Sequence, residues 1–153
     1  MIKVEILKKA DALDLKDINT LIPQLTLSLQ SPPLLNHKIL KRLLSQDNYC
    51  CAVVRAKLSR RYGIIALGTV HFSLLPSGLI AETGDLVVDD KYKGLGLGRV
   101  ILEKLINEAE KKGSRHISLR VNPARKEAIK MYLSLGFKNY PAVFYRINFP
   151  RSQ

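Results

Sequence analysis

Acidic residues are scarce in this chain of 153 residues: 13 Asp and Glu stand against 25 Lys and Arg, a net charge of +12. Such a field attracts polyanions, whether nucleic acid or a multiply phosphorylated small molecule. The cations are scattered pairs (Lys8-Lys9, Lys41-Arg42, Arg60-Arg61, Lys111-Lys112, Arg125-Lys126), with no long basic block and no interleaved aromatic motif, which argues against a nucleic-acid partner. Cysteine is nearly missing. Cys50 and Cys51 are adjacent, so on a strand they point to opposite faces. They give no disulfide framework, and no partners at metal-ligand spacing accompany them, so no metal is expected. No apolar run approaches the roughly 20 residues of a membrane span. The stretch from Met1 to Ile6 alternates apolar and charged residues and reads as a first strand rather than a signal peptide. Repeats, linkers and low-complexity tracts are lacking as well. These observations lead us to expect one domain over residues 1–153, soluble and cytoplasmic, as a monomer or homodimer.

The pattern along the chain supplies the elements. Residues 2–8 form a predicted strand. Helical spacing runs from Ala12 to Leu29, interrupted by Pro23, and Ser31-Pro32-Pro33 is a turn. Asn36 is placed to cap a second helix over 37–46. Tyr49–Ala56 and Ile64–Leu75 read as a hairpin around the polar turn at Lys57–Arg61, and Leu79–Val88 as the next strand. An amphipathic helix covers Val100–Lys112, with Lys111 and Lys112 at its negative end and Gly113 as its stop. His116–Val121 follows as a strand. Asn122 and Pro123 then suit the N-cap and first position of a helix to Leu135, and Val143–Phe149 makes a last strand. This order gives an α/β fold, a sheet of mixed direction with helices on both faces.

The most informative stretch is Lys93-Gly94-Leu95-Gly96-Leu97-Gly98-Arg99, which joins a β-rich run to a helix. Glycines let the backbone approach an anion, and the helix start offers free N–H groups and a positive dipole end. A Walker-type nucleotide loop needs a hydroxyl after its last glycine, but Arg99-Val100 stands there. A dinucleotide fold needs Gly-x-Gly-x-x-Gly and a later acid for the ribose; here the spacing is Gly-x-Gly-x-Gly and the next strand ends in the basic run Leu119-Arg120-Val121.

The run from Val88 to Gly98, with Asp89, Tyr92 and Lys93 at their positions, resembles the Val-Asp-x-x-Tyr-Arg-Gly-x-Gly-x-Gly of the GNAT superfamily of acyl-CoA N-acyltransferases. Lys93 replaces the usual Arg, keeping the charge and losing the bidentate fork. A second stretch matches the family's downstream pattern at Leu119, Val121, Ala128, Tyr132 and Gly136-Phe137, with Arg125 where an Asn is common. The resemblance is strong over residues 80–137 and looser before them.

The resemblance implies a central sheet of six to seven strands, splayed between the fourth and fifth, with about four helices over both faces. It implies acetyl-CoA as cosubstrate and an amine as acceptor, acetylated directly without a covalent acyl-enzyme. The pyrophosphate would lie on the loop from Lys93 through Gly94, Leu95, Gly96, Leu97 and Gly98 to Arg99. The pantetheine arm would pair with the backbone of Leu86, Val87 and Val88, and Asn122, Arg125 and Tyr132 would complete the cofactor site. Tyr132 takes the role of general acid. The glutamate that some N-terminal acetyltransferases place on strand five is Arg120 here, so Asp85 or Glu82 is left as base. In a regular strand these two face opposite sides, so only one would reach the cleft unless a bulge intervenes. Arg120 and Arg125 point to an anionic acceptor such as an amino-sugar phosphate. A peptide amine is the alternative, and a non-catalytic acyl-CoA sensor is the alternative of another class. His71, on the polar face of its strand with Thr69 and Ser73, is a candidate for the acceptor pocket.

Overall fold

The structure is a computed structural model that describes residues 2–25 and 34–150. The predicted turn at Ser31-Pro32-Pro33 and the helical spacing of residues 26–29 lie outside the described residues. Strands β1 (Ile2–Ile6), β2 (Tyr49–Leu58), β3 (Arg61–Leu75) and β4 (Gly78–Val88) pair antiparallel in chain order, and β5 (Ile117–Ser118) joins β4 in parallel. Helices α1 (Ala12–Leu21) and α2 (His37–Leu44) precede β2; α3 (Leu97–Lys111) and α4 (Lys126–Ser134) flank β5. Pro23 ends α1 by falling in a single 3-10 turn, Ile22–Gln24. Asp11 closes a capping box with Asp14 on α1, and Asn36 Oδ1 accepts from Ile39 N on α2.

The alternation of β2 sorts its side chains into two cores. Cys50, Ala52 and Val54 pack with Ala66, Val70 and Ala81 under Ile101 and Leu105 of α3. Cys51 and Val53 face the other way, with Leu67 and Val87, under Ile18 and Leu21 of α1 and Leu40 of α2. The two adjacent cysteines thus belong to opposite faces, as the strand geometry requires. Ile101, Leu102 and Leu105 are fully buried, and truncating any one to Ala would remove about 2–5 kcal/mol.

Two partly buried ion pairs fix α1 to the sheet. Arg55 donates to Asp14 at 2.6 and 3.1 Å and to Glu5 at 2.7 Å. Asp17 accepts from Arg61 at 2.6 and 2.8 Å and from the backbone N–H of Ile64 at 3.0 Å. Burial alone would raise the Asp14 carboxyl, but the Arg55 hydrogen bonds and the Asp11 backbone outweigh it and hold the group below its usual range. Its stabilising contribution is therefore complete above the unfolded value near pH 4 and is lost as pH falls through the lower native one. We expect Arg55→Met to cost about 3 kcal/mol at neutral pH by leaving Asp14 uncompensated. Urea unfolding at several pH values should show the gap to wild type narrowing below pH ~4; a gap that is constant down to acid pH would refute the pairing.

The strand count differs from the expected six to seven: five strands are present among the described residues. The predicted strand at His116–Val121 shrinks to Ile117–Ser118, and Val143–Phe149 adopts no regular structure, with Val143, Tyr145, Ile147 and Phe149 exposed. Their alternation promised a strand, but strand formation needs a paired edge, and β5 is too short to offer one. The helix expected from Asn122 begins instead at Lys126. Asn122 Oδ1 accepts from Ala124 N at 2.9 Å and caps a turn ahead of it.

Candidate active site

The pairing of β4 with β5 is confined to Ala81 with Ile117 and Glu82 with Ser118. Beyond that point the strands part. Leu86, Val87 and Val88 remain paired with Gly68, Leu67 and Ala66 of β3 on one side only. Among the described residues their other edge has no ladder partner, so an extended ligand can hydrogen-bond there.

Lys93 to Arg99 continues from that open edge. Gly94 and Gly96 have φ of 80° and 75°, a left-handed conformation that costs other residues about 1–2 kcal/mol. Gly96 is the N-cap of α3, with no side-chain cap and no acid in the first turn. The N–H groups of Leu97, Gly98 and Arg99 precede the first intrahelical bond, Val100 N to Gly96 O at 3.2 Å, and have no hydrogen-bond partner among the described residues, a position suited to an anion. The helices α1 and α2, by contrast, carry side-chain caps: Asp11 accepts from Leu13 N and Asp14 N, and Asn36 accepts from Ile39 N. Leu97 is a core side chain and Leu95 is exposed, so both would serve a ligand through their backbone. The cations are engaged within the chain: Lys93 pairs with Asp90, and Arg99 donates to Glu103 and to Ser134 of α4, each at 2.9 Å. We expect Gly96→Val to weaken CoA binding at least about tenfold, because a β-branched residue resists positive φ. Calorimetric titration with CoA checks this, and unchanged affinity would remove the loop from the cofactor site.

Asp85 and Glu82 lie on the same face, not on opposite ones. Gly68 pairs with Leu86 and Val70 with Thr83, so the single residue Thr69 opposes both Gly84 and Asp85. This is a β-bulge; its extra residue cancels the odd spacing and turns Asp85 to the side of Glu82 and His71. The two acids nevertheless differ. Arg120 Nη1 pairs with Glu82 at 2.8 Å, whereas no ion pair engages Asp85 among the described residues. Desolvation by the surrounding protein pushes the Asp85 carboxyl up, against an opposing pull from His71. His71 in turn packs at a tilt against Tyr49, with ring centroids 5.0 Å apart.

Tyr132 is half-buried on α4, edge-on to Phe137 at 6.0 Å between centroids. Burial pushes its phenol up, opposed by Arg125, so the hydroxyl stays protonated near neutrality. Arg125 is the N-cap of α4 rather than a first-turn residue, and its guanidinium donates to the Leu25 carbonyl at 3.2 Å. The structure therefore brings Asp85, Glu82, His71 and Arg120 together at the splay. Sequence reasoning placed Thr69 only on the polar face of its strand and missed Gly84; together they build the bulge. The signal was an isolated glycine inside a strand pattern.

A sheet opened between two parallel neighbours, with an uncapped helix start behind paired positive-φ glycines, defines the fold class of acyl-CoA N-acyltransferases. The chain belongs to the acetyltransferase (GNAT) family, whose model matches residues 19–137. It is 32% identical over 81 residues to an uncharacterized N-acetyltransferase of Methanocaldococcus jannaschii, a match covering 53% of this chain and 36% of that protein. It is 45% identical over 53 residues to the [ribosomal protein bS18]-alanine N-acetyltransferase of Escherichia coli K12, covering 35% of this chain and 36% of that protein. These matches span about a third of each relative's length. Among solved structures, a Trypanosoma brucei acetyltransferase superposes with a TM-score of 0.74 at 20% identity, covering 97% of this chain and 100% of the other. Glucosamine-6-phosphate N-acetyltransferase from Arabidopsis thaliana does so at 0.72 and 21%, covering 96% and 98%. At such identities the likeness is one of fold.

Proposed function

We propose that this protein is an acetyl-CoA-dependent N-acetyltransferase that moves the acetyl group directly to a primary amine. One observation carries the reading: the edge of Leu86–Val88, unpaired among the described residues, is followed by a 3-10 turn and the glycine loop into the uncapped start of α3. The residues fit acetyl-CoA. The edge suits an amide-bearing arm, and the helix start, reached through Gly94 and Gly96, suits a pyrophosphate. Acetyl-CoA supplies the activated acyl group. The chain's own work is to hold it and to manage protons.

Asp85 is the group we assign to deprotonate the acceptor. An attacking amine must be neutral, and at pH 7 an α-amine is about one-tenth neutral but a lysine amine only about one part in 2,500. Asp85 suits the task better than Glu82, whose carboxylate Arg120 occupies. Tyr132 is the group we assign to return a proton to the departing thiolate.

For the acceptor, the exposed guanidinium of Arg120, which keeps donors beyond its pair with Glu82, and the net charge of +12 favour a small amine carrying an anionic group, such as an amino-sugar phosphate; Arg125 is engaged by the Leu25 carbonyl. A peptide amine is the second reading, supported by the similarity to an enzyme whose name specifies an alanine of a ribosomal protein. The experiment is a turnover screen of acetyl-CoA against phosphorylated amino sugars, polyamines and peptides, read by thiol release. Turnover with phosphorylated amines supports the first reading and turnover with peptides the second. Binding of acetyl-CoA without turnover of any amine would make the protein a sensor, and absence of binding would overturn the cofactor assignment.

A further inference from the structure

The geometry assigns Thr69 as a positioning residue for catalysis: its hydroxyl holds the bulge in β4 that turns Asp85 into the cleft. This rests on the proposed role of Asp85 as base. Thr69 is only 4% exposed, an unusual place for a hydroxyl in a strand otherwise walled by Ala66, Leu67, Val70 and Phe72. A buried polar group needs a partner. The partner is not another strand's ladder group but the N–H of Asp85 itself, which donates to Thr69 Oγ1 at 2.9 Å.

A bulge leaves one N–H of the longer strand without a ladder acceptor. Thr69 supplies that acceptor from its side chain, which stabilises the bulged register over the regular one. Gly84 completes the device, since a Cβ there would come within 2.7 Å of Thr69 Oγ1. Slipping β4 to a regular register would return Asp85 to the opposite face, under α3, where Leu105 and Val70 lie fully buried. Thr69 and Gly84 therefore decide which face the carboxylate serves. A valine at 69 keeps the shape and removes the acceptor.

The titratable groups around Asp85 are few. His71 faces it from β3, Glu82 with Arg120 lies beside it, and Tyr49 and Cys51 approach from β2. Burial pushes the Cys51 thiol up to about 12 and the Tyr49 phenol higher still, so neither ionises near neutrality. A change in Asp85 titration on altering Thr69 thus reports a change in placement, not in neighbouring charge.

The test combines rates with a direct titration. In protein labelled with ¹³C-aspartate, the Asp85 carboxyl is followed by NMR in wild type, Thr69→Val, Thr69→Ser and Gly84→Ala. Acetyl transfer is measured in the same set, in Asp85→Asn, and in the double variant Asp85→Asn with Thr69→Val. We expect Thr69→Val to lower kcat about tenfold, the equivalent of one lost hydrogen bond, and the Asp85 titration to shift further up as its carboxyl turns toward the buried face under α3. Thr69→Ser should restore both, Gly84→Ala should mimic the valine variant, and the double variant should match Asp85→Asn alone. Unchanged Asp85 titration in both Thr69→Val and Gly84→Ala, additive losses in the double variant, or failure of serine to rescue would each overturn the assignment. If wild type acetylates no amine, the transferase reading fails, and the titration still decides Thr69.

Discussion

Replacing Tyr132 with Phe is expected to lower kcat by roughly 100- to 10,000-fold, the usual worth of a positioned acid, while the dissociation constant for CoA stays nearly constant. The ring packs edge-on to Phe137 and would keep that contact without its hydroxyl, so the variant should fold and bind as wild type does. A loss confined to kcat is the mark of an interaction made only in the transition state. Steady-state rates with thiol detection, alongside calorimetric CoA binding, separate the two effects. Equal losses in binding and turnover would make Tyr132 a cofactor contact, and an unchanged kcat would remove it from the mechanism.

Asp85→Asn is expected to lower kcat/KM by a comparable factor, roughly 100-fold or more, and to alter its pH dependence. A carboxylate can act as a base only when ionised, and desolvation raises the Asp85 pKa above the ordinary carboxyl value. Wild-type kcat/KM should therefore fall as pH drops through an ionisation lying above ~4, the ordinary value. The asparagine variant should lack that acid limb. The loss should be larger for lysine-like amines than for α-amines, because the former are so rarely neutral. An acid limb that persists in the variant would transfer the role elsewhere, and Glu82→Gln is the control that asks whether the acid paired with Arg120 carries it.

The sequence conveyed much of the glycine loop and less of the strand pairing around Asp85. Gly94 and Gly96 were legible because their need is local: a positive φ and an uncapped helix start depend on a few adjacent residues. The hairpin of β2 and β3 was legible because its strands alternate and a short polar turn joins them. Reading failed where the outcome depends on pairing. Val143–Phe149 alternates like a strand, yet the described residues give it no partner. Asn122 has the chemistry of a helix cap, yet it caps a turn while α4 begins at Lys126.

By itself, then, the chain determined its two-sided core, its glycine loop ahead of α3 and the residue types proposed as acid and base, because periodicity and glycine placement act over short distances. The tertiary structure decided which of those residues can work together. It placed Arg120 on Glu82 and turned Asp85 onto the same face through a bulge held by a threonine sixteen residues earlier. Strand register is a relation between segments, and a single extra residue in one of them reverses which way every later side chain points.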